Sequence, residues 1–266
     1  MTSPATVRIA LLLPDLLGTY GDRGNATVLA RRLQLRGRPA EVVEVPSDRP
    51  IPGDCDIYIV GGGEDVAQIE ATRLLERSEF PAAVQRGAAV LAVCAGLQIL
   101  GTSSTDVNGN EHRGLGLLDA ATQPLPHRAV GEVVTSPATA TGLGEEPLTG
   151  FENHRGGTTL GPAVVPLARV ISGVGNGDSG EGAVAGHIIG TYMHGPVLAR
   201  NPALADHLLA LATGLSLEPL HLDDIPELRR DRLAAGRERQ DSRMRRLAAA
   251  LTPRRWLTPG IPAPRG

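Results

Sequence analysis

Residues 88–100 constrain the fold of this chain more than any other stretch. Residues 88–93 are continuously apolar, which is typical of a parallel β-strand covered on both faces. Cys94 follows directly, and residues 95–100 (Ala-Gly-Leu-Gln-Ile-Leu) have the composition of a helix. Because Ala95 and Gly96 are small enough for a tight turn, the pattern predicts a nucleophile elbow with a cysteine at its tip.

Two interpretations of Cys94 follow from this pattern. A thiol at a helix N-terminus lies near free N–H groups and the positive end of the helix dipole, both of which favour the reactive thiolate. The alternative is a structural cysteine, since cysteine is among the most often buried residue types. The elbow alone does not decide between them.

The absence of lysine excludes two kinds of chemistry. All 26 basic residues of the 266 are arginine. Without a lysine the chain has neither the Walker-A motif of P-loop ATPases nor the Schiff-base residue that anchors pyridoxal phosphate. A net charge of −3 gives no reason to expect nucleic acid or an acidic membrane as a partner.

The cysteines and the apolar runs indicate a cytoplasmic protein. Two cysteines, Cys55 and Cys94, are too few for a disulfide framework or a cysteine-based zinc site, and we expect no metal. The N-terminal apolar run is too short and too lightly charged for a signal peptide. No run approaches the roughly 18 apolar residues of a membrane span.

The order of elements predicts an α/β fold with a doubly wound, mostly parallel sheet. Strands are expected at residues 7–13, 41–45, 56–60 and 88–93. Helices are expected at residues 25–37, with Asn25 as N-cap, and at about 64–80.

The second half predicts antiparallel additions that finish the same sheet. Short strands are expected at residues 131–135, 148–152, 167–172 and 187–192, with a hairpin or long turn at 173–180. A helix is expected over 201–211, with Asn201 as cap and Pro202 first. We assign residues 1–215 to one domain, 216–251 to an arginine-rich helical extension, and 252–266 to a disordered tail.

The strand ends predict a site at one edge of the sheet, because ligands of such sheets lie beyond the carboxyl ends of the strands. Gly61, Gly62 and Gly63 follow one strand and Cys94 follows another, so we expect them close together. The N–H of Ala95 and an N–H of the glycine loop are candidate donors to an oxyanion.

Two histidines are candidates for the base that a thiolate needs. His194 follows an apolar strand and precedes Gly195, which places it at the same edge of the sheet as Cys94. His154 is the rival. His187 is expected at the opposite end of the strand, and the others are expected on the surface: His112, His127, His207 and His221.

Several motifs together resemble the class I glutamine amidotransferases of the cobyric-acid-synthase-like branch, and most closely the amidotransferase subunits of lipid II isoglutaminyl synthases. They are Tyr-Gly-Asp-Arg-Gly-Asn at 20–25, Ile-Val-Gly-Gly-Gly-Glu-Asp at 59–65, Val-Cys-Ala-Gly-Leu-Gln at 93–98, Gly-Phe-Glu-Asn-His at 150–154, Gly-Val-Gly-Asn at 173–176, Glu-Gly at 181–182 and Gly-Thr-Tyr-Met-His-Gly-Pro at 190–196. The resemblance covers residues 7–247 and implies a flavodoxin-like fold.

The resemblance implies roles for individual residues. Cys94 would attack the side-chain amide of glutamine, and His194 would act as general acid and base. Arg128 would hold the glutamine carboxylate through two parallel hydrogen bonds, although a solvated loop arginine is the alternative. Gly62, Gly63 and Ala95 would contact the bound substrate.

The third catalytic residue stays open at this point. Many class I enzymes carry an acid two residues after the histidine, but Pro196 occupies that position here. A partner chain, Glu64 or Asp65 could orient His194 instead.

The resemblance also implies a heterodimer with a Mur-ligase-like synthetase subunit, MurT. That partner would bind ATP and Mg²⁺, amidate the D-glutamate α-carboxyl of the lipid II stem peptide and receive ammonia from this chain, which itself would need no cofactor. Residues 20–25 and the arginine-rich helix are candidates for the partner surface, and a solvated face is the alternative for the helix. Three other functions stay open: cobyric-acid-type amidation, γ-glutamyl hydrolysis, and a non-catalytic scaffold.

Overall fold

Two β-sheets organise the chain. The computed structural model describes residues 5–18, 21–220, 222, 227 and 229–239. In chain order the elements are β1 (Val7–Leu12), α1 (Arg23–Gln34), β2 (Ala40–Val45), β3 (Ile57–Val60), α2 (Asp65–Glu76), α3 (Phe80–Gln85), β4 (Ala89–Val93), α4 (Ala95–Leu100), β5 (Ser103–Thr105), β6 (Glu111–Arg113), β7 (Ala120–Pro137), β8 (Leu148–Leu160), β9 (Ala168–Ser172), β10 (Gly180–Glu181), β11 (Ala183–Ala185), β12 (Ile188–Thr191), α5 (Val197–Arg200) and α6 (Pro202–Thr213). Residues 229–239 are also helical.

The first sheet is the predicted parallel sheet. Its strands lie in the order β11–β12–β4–β3–β1–β2, and only the edge strand β11 is antiparallel to its neighbour. The five parallel strands therefore have the flavodoxin-like order, with β12 as the fifth. Both β3 and β4 are buried at every position, in keeping with their continuous apolar sequences. The predicted α/β class is confirmed.

The second sheet departs from the prediction. Strands β10, β9, β7, β5 and β6 form a separate, mostly antiparallel sheet in this order, and β8 also pairs with β7. The predicted strands at 131–135 and 148–152 are parts of the much longer β7 and β8. Only β11 extends the parallel sheet with an antiparallel strand. Prolines interrupt the alternating pattern of β7, so its length was not visible in the sequence.

Two predicted helix boundaries are wrong. Helix α1 begins at Arg23 after Asp22, and the side chain of Asn25 accepts a hydrogen bond from Leu198 N–H instead of capping the helix. The predicted helix over 64–80 ends early, because α2 stops at Glu76 and a separate short helix, α3, covers Phe80–Gln85. Proline is unfavourable in the interior of a helix but is tolerated in the first turn, so Pro81 suits the start of α3. At this start, Ser78 Oγ accepts a hydrogen bond from Phe80 N–H.

Among the remaining helices, α4 and α6 agree with the prediction, whereas the short helix α5 was not predicted. Helix α6 begins at Pro202 directly after Asn201. Residues 229–239 fall within the predicted arginine-rich helix, whereas Tyr20, His221 and the predicted tail at 252–266 lie outside the described residues. Within the described ranges, none of the helices combines the length and the apolar character needed to cross a bilayer.

The carboxyl group of Glu181 joins the two sheets beside the site. Glu181 belongs to β10, and its Oε1 accepts hydrogen bonds from Thr191 Oγ1 (2.8 Å) and Tyr192 N–H (2.7 Å) at the end of β12. Burial raises the pKa of this carboxyl group to about 7, although the two hydrogen bonds oppose the shift. The end of β12 is therefore held by a carboxyl group that the fold favours in its protonated form.

In the Glu181→Gln variant, the free energy of unfolding is expected to lose the pH dependence that Glu181 causes in the wild type. Because the folded protein raises the pKa of Glu181 from 4.5 to about 7, the wild type binds this proton more tightly when folded and loses stability as pH rises between these values. The loss is on the order of 3 kcal/mol. Glutamine keeps the acceptor oxygen and does not ionise, so the variant lacks this loss.

Denaturant unfolding at pH 4.5, 5.5 and 7.5 measures the effect. Glu145→Gln serves as the matched control, because Glu145 is exposed and its loss leaves the pH dependence of the wild type in place. Equal slopes of unfolding free energy against pH for the wild type and Glu181→Gln would contradict the assignment.

Candidate active site

Cys94 occupies a strained turn between β4 and α4. Its φ of 54° and ψ of −104° are rare for a residue with a side chain. The first amides of α4 have no acceptor within the helix and lie close to the thiol. Cys94 is 8% exposed and lines a cavity, so the turn can present its thiol to a small ligand beside the first amides of α4.

Gly96 allows helix α4 to lie directly on the sheet. A Cβ at this position would lie 2.4 Å from the carbonyl oxygen of Val60 at the end of β3. Such a contact is impossible without a shift of the backbone, so any larger residue would push the helix away. The absence of a side chain at Gly96 therefore allows the close approach of α4 to β3.

His194 follows β12 and contacts Cys94. Its backbone pairs with Phe151 of β8 in both directions, with N···O distances of 2.9 and 3.1 Å. Burial by itself lowers the pKa of His194. The hydrogen bond to Asp22, the hydrogen bond to Cys94 and the charge of the Cys94 thiolate outweigh it and raise the pKa to about 9. His194 therefore favours its protonated form and can give a proton to a departing group.

Asp22 is the carboxylate that contacts His194. Its Oδ1 lies 3.4 Å from His194 Nδ1, and the residue is completely buried. Glu64 and Asp65, which the sequence offered for this contact, line the cavity instead. Asp22 follows the end of β1 and thus lies at the same edge of the sheet as Cys94 and His194, which is the one signal in the sequence that could have indicated it.

Asp22 and Asn25, from the predicted partner surface at residues 20–25, face the interior beside this site. Asp22 and Asn25 are both completely buried, and Asn25 Oδ1 accepts the hydrogen bond of Leu198 N–H, shortly after His194. These two side chains are therefore not available to a partner, whereas Arg23 between them is exposed, so a partner surface at residues 20–25 stays a prediction.

The glycine loop at residues 61–63 lies against Cys94 and His194, and the amide of Gly62 already has a partner. A Cβ on Gly62 would lie 2.7 Å from His194 Cε1 and 3.5 Å from Cys94 Cβ. Gly62 N–H donates a hydrogen bond to Asp22 Oδ2 (2.8 Å). An oxyanion donor at Gly62 is therefore disfavoured, whereas Gly63 and Ala95 both line the cavity. The arrangement leaves the latter two amides as candidate donors.

Arg128 reaches the cavity from an irregularity in β7. The pairing of β7 with β8 shifts register between Pro124 and Ala129, and Arg128 lies within this interruption. Bulges of this kind redirect side chains. Arg128 lines the cavity and donates from Nε to Asn153 Oδ1 (2.7 Å), which leaves the terminal nitrogens of the guanidinium for a carboxylate.

The cavity has a volume of about 330 Å³, enough for an amino acid. Cys94 and Arg128 both line it, so the thiol and the guanidinium belong to the same cavity. Arg155 also lines it and donates to Leu125 O and Pro126 O, which supports the segment before Arg128. No cluster of three metal-binding side chains is found among the described residues.

His154, the rival base, lies in the cavity wall. Its ring stacks on Tyr192 at a centroid distance of 3.9 Å, and its Nδ1 lies 2.9 Å from Gly156 O. His194 is the histidine that interacts with both Cys94 and Asp22. Of the other histidines, His127 and His187 are exposed, whereas His112 and His207 are half-buried rather than on the surface.

Comparisons with known proteins agree with this geometry. Residues 8–202 match the model of the CobB/CobQ-like glutamine amidotransferase domain. The GatD subunit of lipid II isoglutaminyl synthase (glutamine-hydrolyzing) from Staphylococcus aureus is 33% identical over 241 residues, which cover 88% of this chain and 96% of that protein. GatD from Streptococcus pneumoniae is 33% identical over 216 residues, or 79% and 81% of the two chains. A cobyric acid synthase from Sphingopyxis alaskensis is 36% identical over 181 residues, which cover 64% of this chain but 34% of that protein.

Solved structures show the same fold. One crystal structure of a glutamine amidotransferase superposes with a TM-score of 0.51 at 23% identity, covering 78% of this chain and 99% of the other. The glutaminase domain of Trypanosoma brucei CTPS with bound acivicin gives 0.50 at 12% identity, covering 80% and 96%. The family model spans most of the chain, and full-length relatives share a third of their residues with it. The chain belongs to the CobB/CobQ-like glutamine amidotransferase family.

Proposed function

We propose that this chain is the glutaminase subunit of a lipid II isoglutaminyl synthase and supplies ammonia to a Mur-ligase-like synthetase subunit of the MurT type. The contact of Cys94 with a buried His194–Asp22 pair, beside a cavity that Arg128 enters, carries the glutaminase part of the proposal. The lipid II part rests on the similarity to GatD over 96% of the length of that protein.

Acylation would begin with the thiolate of Cys94. Its sulfur attacks the side-chain amide carbon of glutamine, whose α-carboxylate is held by Arg128. The amides of Ala95 and Gly63 stabilise the oxyanion that forms. The imidazolium of His194 gives its proton to the departing nitrogen, and the C–N bond breaks to release ammonia and leave a thioester.

Deacylation reuses the same groups. Neutral His194 removes a proton from water, and the resulting hydroxide attacks the thioester carbon. The C–S bond breaks, glutamate leaves, and the thiolate and the imidazolium are restored. Asp22 accepts the Nδ1–H of His194 throughout and keeps the ring in the required orientation. The partner would use ATP and Mg²⁺ to activate the carboxyl group that receives the ammonia, a step for which this lysine-free chain has no phosphate-binding motif.

Cys94→Ala is expected to abolish glutamine hydrolysis, because the variant has no nucleophile. Cys55→Ala is the matched control: Cys55 is also buried, and burial raises the pKa of its thiol, so it is unreactive at neutral pH. Ammonia release, measured with and without the partner, checks the prediction. Full activity of Cys94→Ala would refute the mechanism.

Asp22→Asn is expected to lower activity roughly 10²- to 10⁴-fold and to shift its pH profile. The asparagine amide offers N–H groups to His194 Nδ1, which favours the wrong tautomer and removes a cause of the raised pKa of about 9. The alkaline limb of kcat/KM therefore moves to lower pH.

Asp15→Asn is the matched control for Asp22→Asn. Asp15 belongs to the same loop after β1 but binds Ser47 away from the site. A pH profile of Asp22→Asn that coincides with the wild type would show that Asp22 does not act on His194.

Reconstitution tests the partner and the acceptor. With the Mur-ligase-like subunit, ATP, Mg²⁺, glutamine and lipid II, mass spectrometry should show conversion of the D-glutamate α-carboxyl to an amide. Cys94→Ala should fail with glutamine but work with free ammonia, because the synthetase needs only the nitrogen. Amidation of a cobyric-acid-type substrate, or cleavage of γ-glutamyl peptides in preference to glutamine, would replace the proposal by one of those functions.

A further inference from the structure

One face of the C-terminal helix is attached to the domain by arginines. Arg229, Arg232 and Arg239, together with Gly236, have the spacing of a single helix face. Arg229 donates to Pro147 O (2.8 Å) and Arg200 O (2.7 Å), and Arg232 lies 3.4 Å from Glu132. Arginines that suggested a partner surface in the sequence are therefore engaged within the chain.

Gly236 allows this helix to lie at backbone distance from the second sheet. Its carbonyl oxygen accepts a hydrogen bond from Ser172 Oγ (2.9 Å), and a Cβ at this position would lie 2.2 Å from Val134 Cγ2. The helix is thus packed directly against strands β7 and β9 of the second sheet.

Arg239 extends from this helix to a buried carboxylate. Its Nη2 lies 2.8 Å from Glu152 Oε1, and Glu152 is completely buried in β8. Glu152 also accepts hydrogen bonds from Val174 N–H and Gly175 N–H. Burial by itself raises the pKa of Glu152, but His154, the two amides and the Arg239 charge hold it below its usual value.

The same carboxylate faces the cavity wall. Glu152 Oε2 lies 3.7 Å from Nε2 of His154, whose ring stacks on Tyr192 and lines the cavity beside Cys94. Between the C-terminal helix and the cavity, Arg239 therefore pairs with Glu152, and Glu152 lies against the buried edge of the His154 ring at an ion-pair rather than a hydrogen-bond distance.

We propose that Arg239 is a positioning residue for glutamine binding, which it influences by holding Glu152 and, through it, the His154 wall of the cavity. This inference rests on the proposed glutaminase activity. A buried carboxylate without its guanidinium partner attracts water or other donors, which displaces His154 from its place. The Cys94–His194–Asp22 contacts do not involve these residues, so the reactivity of the thiol should stay unchanged.

The Arg239→Gln variant of the full chain tests the proposal. KM for glutamine is expected to rise about tenfold, while kcat and the rate at which iodoacetamide alkylates Cys94 stay close to the wild type. Arg239→Lys should recover part of the affinity because it restores the charge. Arg237→Gln is the matched control, since Arg237 is exposed on the same helix.

A double-mutant cycle separates this role from a general loss of stability. In a Glu152→Gln background the buried charge is absent, so Arg239→Gln should add little to KM. An unchanged KM in Arg239→Gln, or a parallel fall of kcat and alkylation rate, would overturn the inference and leave the glutaminase function intact. A wild type that reacts with iodoacetamide but does not hydrolyse glutamine would overturn the proposed function, and this inference with it.

Discussion

A single buried carboxylate connects three strand ends of the parallel sheet. Asp22, after β1, binds the amide of Gly62 after β3 and the ring of His194 after β12. A buried charge is costly unless it is paired and hydrogen-bonded, so the loops that satisfy Asp22 must keep their positions relative to one another. The geometry of the base and the glycine loop thus follows from the needs of one side chain, and Cys94 is brought to the same place by the strained turn after β4.

The two sheets divide the work of the site. The parallel sheet supplies Cys94 and His194, the groups that we propose react, whereas the second sheet supplies the cavity wall with Arg128 and His154. They meet where His194 pairs with Phe151 of β8 and where Glu181 of β10 holds the end of β12. The position of His194 is therefore fixed by both sheets. These contacts between the sheets set the position of the cavity wall relative to Cys94 and His194.

The sequence predicted those features that depend on neighbours in the chain. The turn at Cys94, the glycine loop and the parallel strands each have a continuous local pattern, and the motifs around His194 identified the family. The contact of Asp22 with His194 was missed because the two residues lie 172 positions apart in the sequence. The loop after β1 also contains other polar residues, and no pattern distinguishes Asp22 from them. The second sheet was missed because prolines and glycines hide the length of β7, and Arg128 was identified through resemblance, since no local pattern predicts a bulge.

The irregularity that directs Arg128 into the cavity also limits how chains of this kind can change in length. Strands β7 and β8 pair on both sides of the interruption between Pro124 and Ala129. One residue more or less within either strand would turn every following side chain to the opposite face, and with it the cavity wall. The connection at residues 138–147, at the far end of this hairpin, carries no such constraint. Insertions among related sequences should therefore accumulate there and change the sequence spacing between Arg128 and His154, while the pairing of Ala129 with His154 across the two strands stays constant.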